Sequence, residues 1–181
     1  MIFTETRLAG AFTIDVERLE DERGFFARTW DAEELAARGL DARAVQSSIA
    51  YNRLAGTVRG LHYQEVPFAE TKLVRCTAGA IWDVVVDLRR ESPTFLEWVA
   101  VELTAENRRT LYVPERFAHG YQTLEDASEV WYQMSAPYAP DAARGLRWDD
   151  ARLRIDWPPA ERRVISERDR AWSDVDEALE D

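Results

Sequence analysis

One cysteine, Cys76, and two histidines, His62 and His119, are all that 181 residues hold of these types. A single thiol excludes an internal disulfide and leaves too few sulfur ligands for a zinc cluster, which fits a reducing compartment. Basic charge is short as well. Twenty-three Lys and Arg against 34 Asp and Glu leave a net charge of −11, with a pI near 4.8. A nucleic-acid surface needs concentrated Lys and Arg, so this balance argues against that partner, although a small anion can still be held locally. No apolar run approaches the roughly 18 residues of a membrane helix. The opening Met1-Ile2-Phe3-Thr4-Glu5 lacks a basic segment followed by an apolar one, so a cytoplasmic protein without membrane contact is expected. Repeats, low-complexity tracts and linkers are missing too, and 46% hydrophobic residues suffice for one domain over residues 1–181.

What is present is a succession of short, turn-punctuated runs. Phe12-Thr13-Ile14-Asp15-Val16 alternates as a strand does, and after the charged turn Leu19-Glu20-Asp21-Glu22-Arg23-Gly24 a second strand begins at Phe25. Asp31 and Glu34 form a capping-box pattern that opens a short helix through Ala37, closed by Gly39. Strands are then expected at Ala44–Tyr51, Thr57–Tyr63, Thr71–Thr77, Ile81–Leu88, Phe95–Leu103, Thr110–Val113, Gly120–Leu124 and Glu129–Ser135. With no helices between them, this spacing predicts an all-β, antiparallel jelly roll of the cupin type with a few short helices. From Tyr138 the chain leaves the sheet for a tail containing Trp148, Trp157, Pro158 and Pro159. The acidic stretch from Trp172 to Asp181 is assigned no function.

Both histidines lie in strand-like runs beside glycine, in Arg59-Gly60-Leu61-His62 and Phe117-Ala118-His119-Gly120. Imidazole is the side chain best suited to proton transfer near neutral pH. A jelly roll carrying strand histidines suggests a metal-binding cupin, but such a site needs about three histidines and a carboxylate, and Gln64 stands where a second histidine would follow His62. A cavity without metal must work with acids, bases and hydrogen bonds. The candidates are His62, Lys72, His119, Tyr132 and a carboxylate. Taken singly, Lys72 is more often a solvated strand lysine and Tyr132 a half-buried sheet aromatic.

Several ordered motifs change those odds: Asp21-Glu22-Arg23-Gly24-Phe25-Phe26, Gly56 to Gln64, Lys72-Leu73-Val74-Arg75-Cys76, Asp83 to Arg89, Val113 to Gly120, Tyr132, Ile155-Asp156-Trp157-Pro158 and Ser166-Glu167-Arg168-Asp169. In them the chain resembles, over nearly its whole length, the dTDP-4-dehydrorhamnose 3,5-epimerase family of nucleotide-sugar enzymes. The resemblance implies a metal-free, cofactor-free isomerase acting on a dTDP-linked 4-keto-6-deoxy sugar. His62 would be the base, Asp169 the carboxylate that orients it, Lys72 the stabiliser of charge on the keto oxygen, and Tyr132 the acid on the opposite face. It implies substrate-binding roles for Arg23, Arg28, Gln46, Ser48, Arg59, His119 and Arg168, with arginine forks suited to a diphosphate. A homodimer exchanging an N-terminal strand segment is implied as well.

Departures from the family pattern cluster at the expected nucleotide end: Ser48 for an asparagine, Arg28 and Ala143 for glutamates, Arg116 for a glycine and Arg168 for a lysine. Three alternatives therefore stand: an epimerase of carbon 3 alone or carbon 5 alone, a sugar-nucleotide-binding cupin without catalysis, and a metal-dependent cupin oxygenase. One geometric condition also stands. Arg59 and His62 have opposite parity and would face opposite sides of a regular strand, so both can serve one cavity only if Gly60 interrupts the alternation.

Overall fold

The computed structural model describes residues 1–179; of the acidic C-terminal stretch, positions 180 and 181 lie outside the described residues. In chain order the strands are β1 (Ile2–Glu5), β2 (Phe12–Asp15), β3 (Leu19–Asp21) and β4 (Gly24–Phe26), followed by helix α1 (Ala32–Ala36). The main run is β5 (Gln46–Asn52), β6 (Val58–Gln64), β7 (Lys72–Ala78), β8 (Ala80–Asp87) and β9 (Trp98–Thr104). Then come β10 (Thr110–Val113), β11 (Phe117–Thr123), β12 (Ser128–Met134) and β13 (Ala143–Gly145), with α2 (Glu167–Arg170) and α3 (Val175–Ala178) closing the chain.

Two antiparallel sheets carry the fold, one in the order β1-β2-β10-β7-β12-β5 and one in the order β13-β6-β11-β8-β9. The cupin-type jelly roll expected from strand spacing is therefore what forms. Between the sheets lies a core that includes Val74, Cys76, Ile81, Val85, Leu111, Phe117, Tyr121 and Val130. Strand β8 is buried along nearly its whole length because both its faces are covered. On its outer side Val84 and Val86 pack with Leu146, Leu153, Trp157 and Val175, so the Trp- and Pro-rich tail is a third layer. Helix α1 covers the outer face of the larger sheet through Leu35, which packs with Ile14, Leu73 and Tyr112. Its N-cap is Asp31, which accepts from the N–H groups of Glu33 and Glu34. No described helix is long and apolar enough to cross a membrane.

Three local differences from the expected elements have physical causes. The charged Leu19–Gly24 segment is not only a turn: Leu19 pairs with Phe26 and Asp21 with Gly24, making a small separate hairpin. The tail returns to the sheet, where β13 pairs with β6 and sets Gly145 opposite His62. Helices α2 and α3 have four residues each, too few for a hydrophobic period, and are fixed by the caps Ser166 and Asp174.

Between β6 and β11 the pairing shifts register. His62 stands opposite His119, and Arg59 opposite Tyr121, so three steps along β6 match two along β11. Gly60 carries the extra residue at φ +113, and a Cβ there would meet Gly120 Cα at 2.6 Å. The condition set by the parity of Arg59 and His62 is met.

Candidate active site

Two compartments open between the sheets and meet at the same side chains. An outer cavity of about 230 Å³ is lined by residues that include Ser48, His62, Glu70, Lys72, Tyr132, Arg144 and Arg168. An inner one of about 220 Å³ is lined by Arg59, His62, Lys72, His119, Tyr132 and neighbours. His62, Lys72 and Tyr132 line both. His62 projects from β6 in the smaller sheet, whereas Lys72 and Tyr132 come from adjacent strands of the larger sheet, where Lys72 pairs with Met134 and Tyr132 with Val74. The imidazole and the phenol thus belong to opposite walls.

His62 Nε2 lies 2.7 Å from Asp169 Oδ1. Asp169 reaches it from α2, whose N-cap Ser166 accepts from the Asp169 N–H, and its second oxygen accepts from the Gly60 N–H. Burial works to raise the Asp169 carboxyl, but the hydrogen bond and charge of His62, with the Gly60 N–H, overcome it and hold the group below its usual value. A buried carboxylate on one ring nitrogen orients the imidazole and makes the other nitrogen the working one. Trp172 stands edge-on to His62 with ring centroids 6.3 Å apart. It lies on Gly145, where a Cβ would come within 2.4 Å of the indole, so glycine opposite His62 makes room for this cover.

On the facing wall Lys72 Nζ lies 3.3 Å from Glu70 Oε1, both side chains about nine-tenths buried. Burial, together with the neighbouring Tyr121, raises the Tyr132 phenol well above its usual value. Tyr121 is held in turn by Asn52 Nδ2 at 3.1 Å, and Asn52 Oδ1 accepts from Arg59 Nε at 2.8 Å. His119 is not at the rim: its Nε2 pairs at 2.7 Å with the fully buried Asp83, beneath the edge of Tyr132. Burial raises the Asp83 carboxyl against the pull of His119 and Lys72.

Among the residues expected to bind substrate, Ser48, Arg59, His119 and Arg168 reach the two compartments. Gln46 stays at the rim, where Oε1 accepts from the N–H of the lining residue Tyr138. Arg23 and Arg28 do not reach the cavity of their own chain; Arg23 pairs with Asp21 and Arg28 with Asp31 on the surface. Sequence reasoning missed Glu70, Asp83, Trp172 and Arg144. Glu70 shares strand parity with Lys72, and Asp83 interrupts an apolar run, so both left a trace. Trp172 and Arg144 left none. Among the described residues, no group of three or more His, Cys, Asp or Glu side chains is placed to hold a metal ion.

An antiparallel jelly roll that opposes a histidine–aspartate dyad to a tyrosine and a lysine defines the class: a cupin-type enzyme equipped for proton transfer. The chain belongs to the dTDP-4-dehydrorhamnose 3,5-epimerase family, whose model matches residues 5–177, and it is accordingly an isomerase. It is 41% identical over 169 residues to the dTDP-4-dehydrorhamnose 3,5-epimerase of Sinorhizobium fredii, covering 93% of this chain and 87% of that one. Identity to the enzyme of that name from Methanothermobacter thermautotrophicus is 42% over 178 residues, 97% of this chain and 95% of the other. The structure of the dTDP-6-deoxy-D-glucose-3,5-epimerase of Legionella pneumophila, in complex with dTDP-4-keto-L-rhamnose, superposes with a TM-score of 0.91 at 34% identity, covering 99% and 94% of the two chains.

Proposed function

We propose that this protein inverts carbons 3 and 5 of a dTDP-linked 4-keto-6-deoxyhexose. The observation that carries the reading is the placement of His62 and Tyr132 on opposite walls of one cavity with Lys72 between the compartments. His62 takes the proton from a carbon beside the keto group, and the electron pair moves onto the keto oxygen. Lys72 meets the developing enolate, which a fixed cation in a dry cavity favours over the ketone. Tyr132 returns a proton to the opposite face, the carbonyl re-forms, and the carbon is inverted. The imidazolium then releases its proton and the phenolate regains one, which resets the site for the second carbon. Arg59, Arg168 and Ser48 hold the nucleotide end.

Gln46 joins that end from the rim of its own cavity, and Arg23 and Arg28 join it across a homodimer in which hairpin β3–β4 is exchanged. Support comes from the apolar surface that one chain leaves open: Leu19, Phe26, Ile49 and Tyr51 are each more than half exposed on the hairpin and the edge strand β5. The test of the chemistry is substitution. His62→Ala and Tyr132→Phe are each expected to lower kcat on dTDP-4-keto-6-deoxyglucose by about 10²-fold or more with the melting temperature preserved. Near-normal turnover by the His62 variant refutes its role as base.

A further inference from the structure

The ion pair between Lys72 and Glu70 has no part in the proton transfers, yet it is an enclosed charge pair on the cavity wall. Lys72 Nζ and Glu70 Oε1 are 3.3 Å apart, and the side chains are 12% and 10% exposed. Glu70 lies two residues before Lys72, just ahead of β7, and the ion pair places both charged heads on the same side of the chain. Thr71 between them is locked to β12's end, its N–H on Ser135 Oγ and its carbonyl on the Ser135 N–H. The backbone next to Glu70 is therefore tied to the sheet, and the carboxylate it carries is about nine-tenths buried. A lysine ammonium rides on a flexible four-carbon stem and binds as a point charge, so where it sits depends on what anchors it.

We infer that Glu70 is a positioning residue for the reaction, anchoring the Lys72 ammonium where the enolate oxygen develops; this rests on the reading of Lys72 given above. Charge stabilisation in a transition state depends on a group already in place, and misplacing it shows in kcat rather than in substrate affinity. Glu70→Gln is isosteric and keeps a hydrogen-bond acceptor while removing the charge.

The test is a double-mutant cycle, with turnover of dTDP-4-keto-6-deoxyglucose and solvent-deuterium uptake measured for Glu70→Gln, Lys72→Met and the double variant, and folding checked by thermal melting. Glu70→Gln is expected to lower kcat about tenfold with KM changed less than about twofold, and to have almost no further effect in the Lys72→Met background. An unchanged kcat, a rise in KM alone, or an undiminished effect without Lys72 overturns the inference, leaving the role of Lys72 intact. Wild-type turnover by Lys72→Met overturns both together. If the glutamine variant fails to fold, the same cycle is run with Glu70→Asp, which keeps the charge but draws it back by one methylene.

Discussion

In the proposed mechanism, Asp169 links stability to catalysis through a single carboxyl. Because its folded-state pKa lies below the ordinary value of 3.8, the unfolded chain binds more protons near that pH. Its contribution is therefore present at neutral pH and lost as pH falls through 3.8 toward the folded value. The melting-temperature gap between the wild type and Asp169→Asn is expected at pH 7 and should narrow on acidification below pH 4; a gap that widens there contradicts the assignment. Turnover by the same variant should fall about 10²-fold or more, since an amide cannot stabilise the imidazolium. Tyr132 shifts the other way. Burial raises its phenol above 10, so it keeps, throughout the neutral range, the proton that the proposed mechanism has it donate. Ultraviolet titration of the wild type against Tyr132→Phe should show no phenolate from this residue below pH 10.

At the scale of elements, Gly60 sits at the register shift that lets Arg59 and His62 line one compartment. Gly60→Ala forces a side chain into φ +113 and against Gly120, a combination expected to cost at least about 1–3 kcal/mol. Urea denaturation should register that loss, and turnover should fall as Arg59 and His62 separate; wild-type stability would mean the register shift does not depend on glycine. This device was legible in advance, since the opposite parity of Arg59 and His62 demanded an interruption and glycine was the only residue between them able to supply it. The eight main strands from β5 to β12 were legible from alternation and turn residues. Strand β13 and helices α2 and α3 were not, because three or four residues carry no period. Their positions follow from long-range contacts, β13 on β6 and Asp169 on His62. Of the site, His62, Lys72, Tyr132 and Asp169 were identified by resemblance to a family, whereas the His119–Asp83 pair depends on the pairing of β11 with β8, which only the folded sheet defines.

For the whole molecule, the layered core leaves apolar side chains of hairpin β3–β4 and of edge strand β5 in the open. If that surface is the dimer contact, Phe26→Asp should sediment as a monomer and bind dTDP more weakly, because Arg23 and Arg28 are then missing from the cavity; a fully active monomer contradicts the exchange. The central claim is that base and acid on opposite walls invert two carbons of one sugar. Its most direct test is incubation of dTDP-4-keto-6-deoxyglucose with the enzyme in heavy water, with the product read by NMR. Deuterium at both carbon 3 and carbon 5 is the predicted result, whereas label at one carbon alone, or at neither, would contradict it.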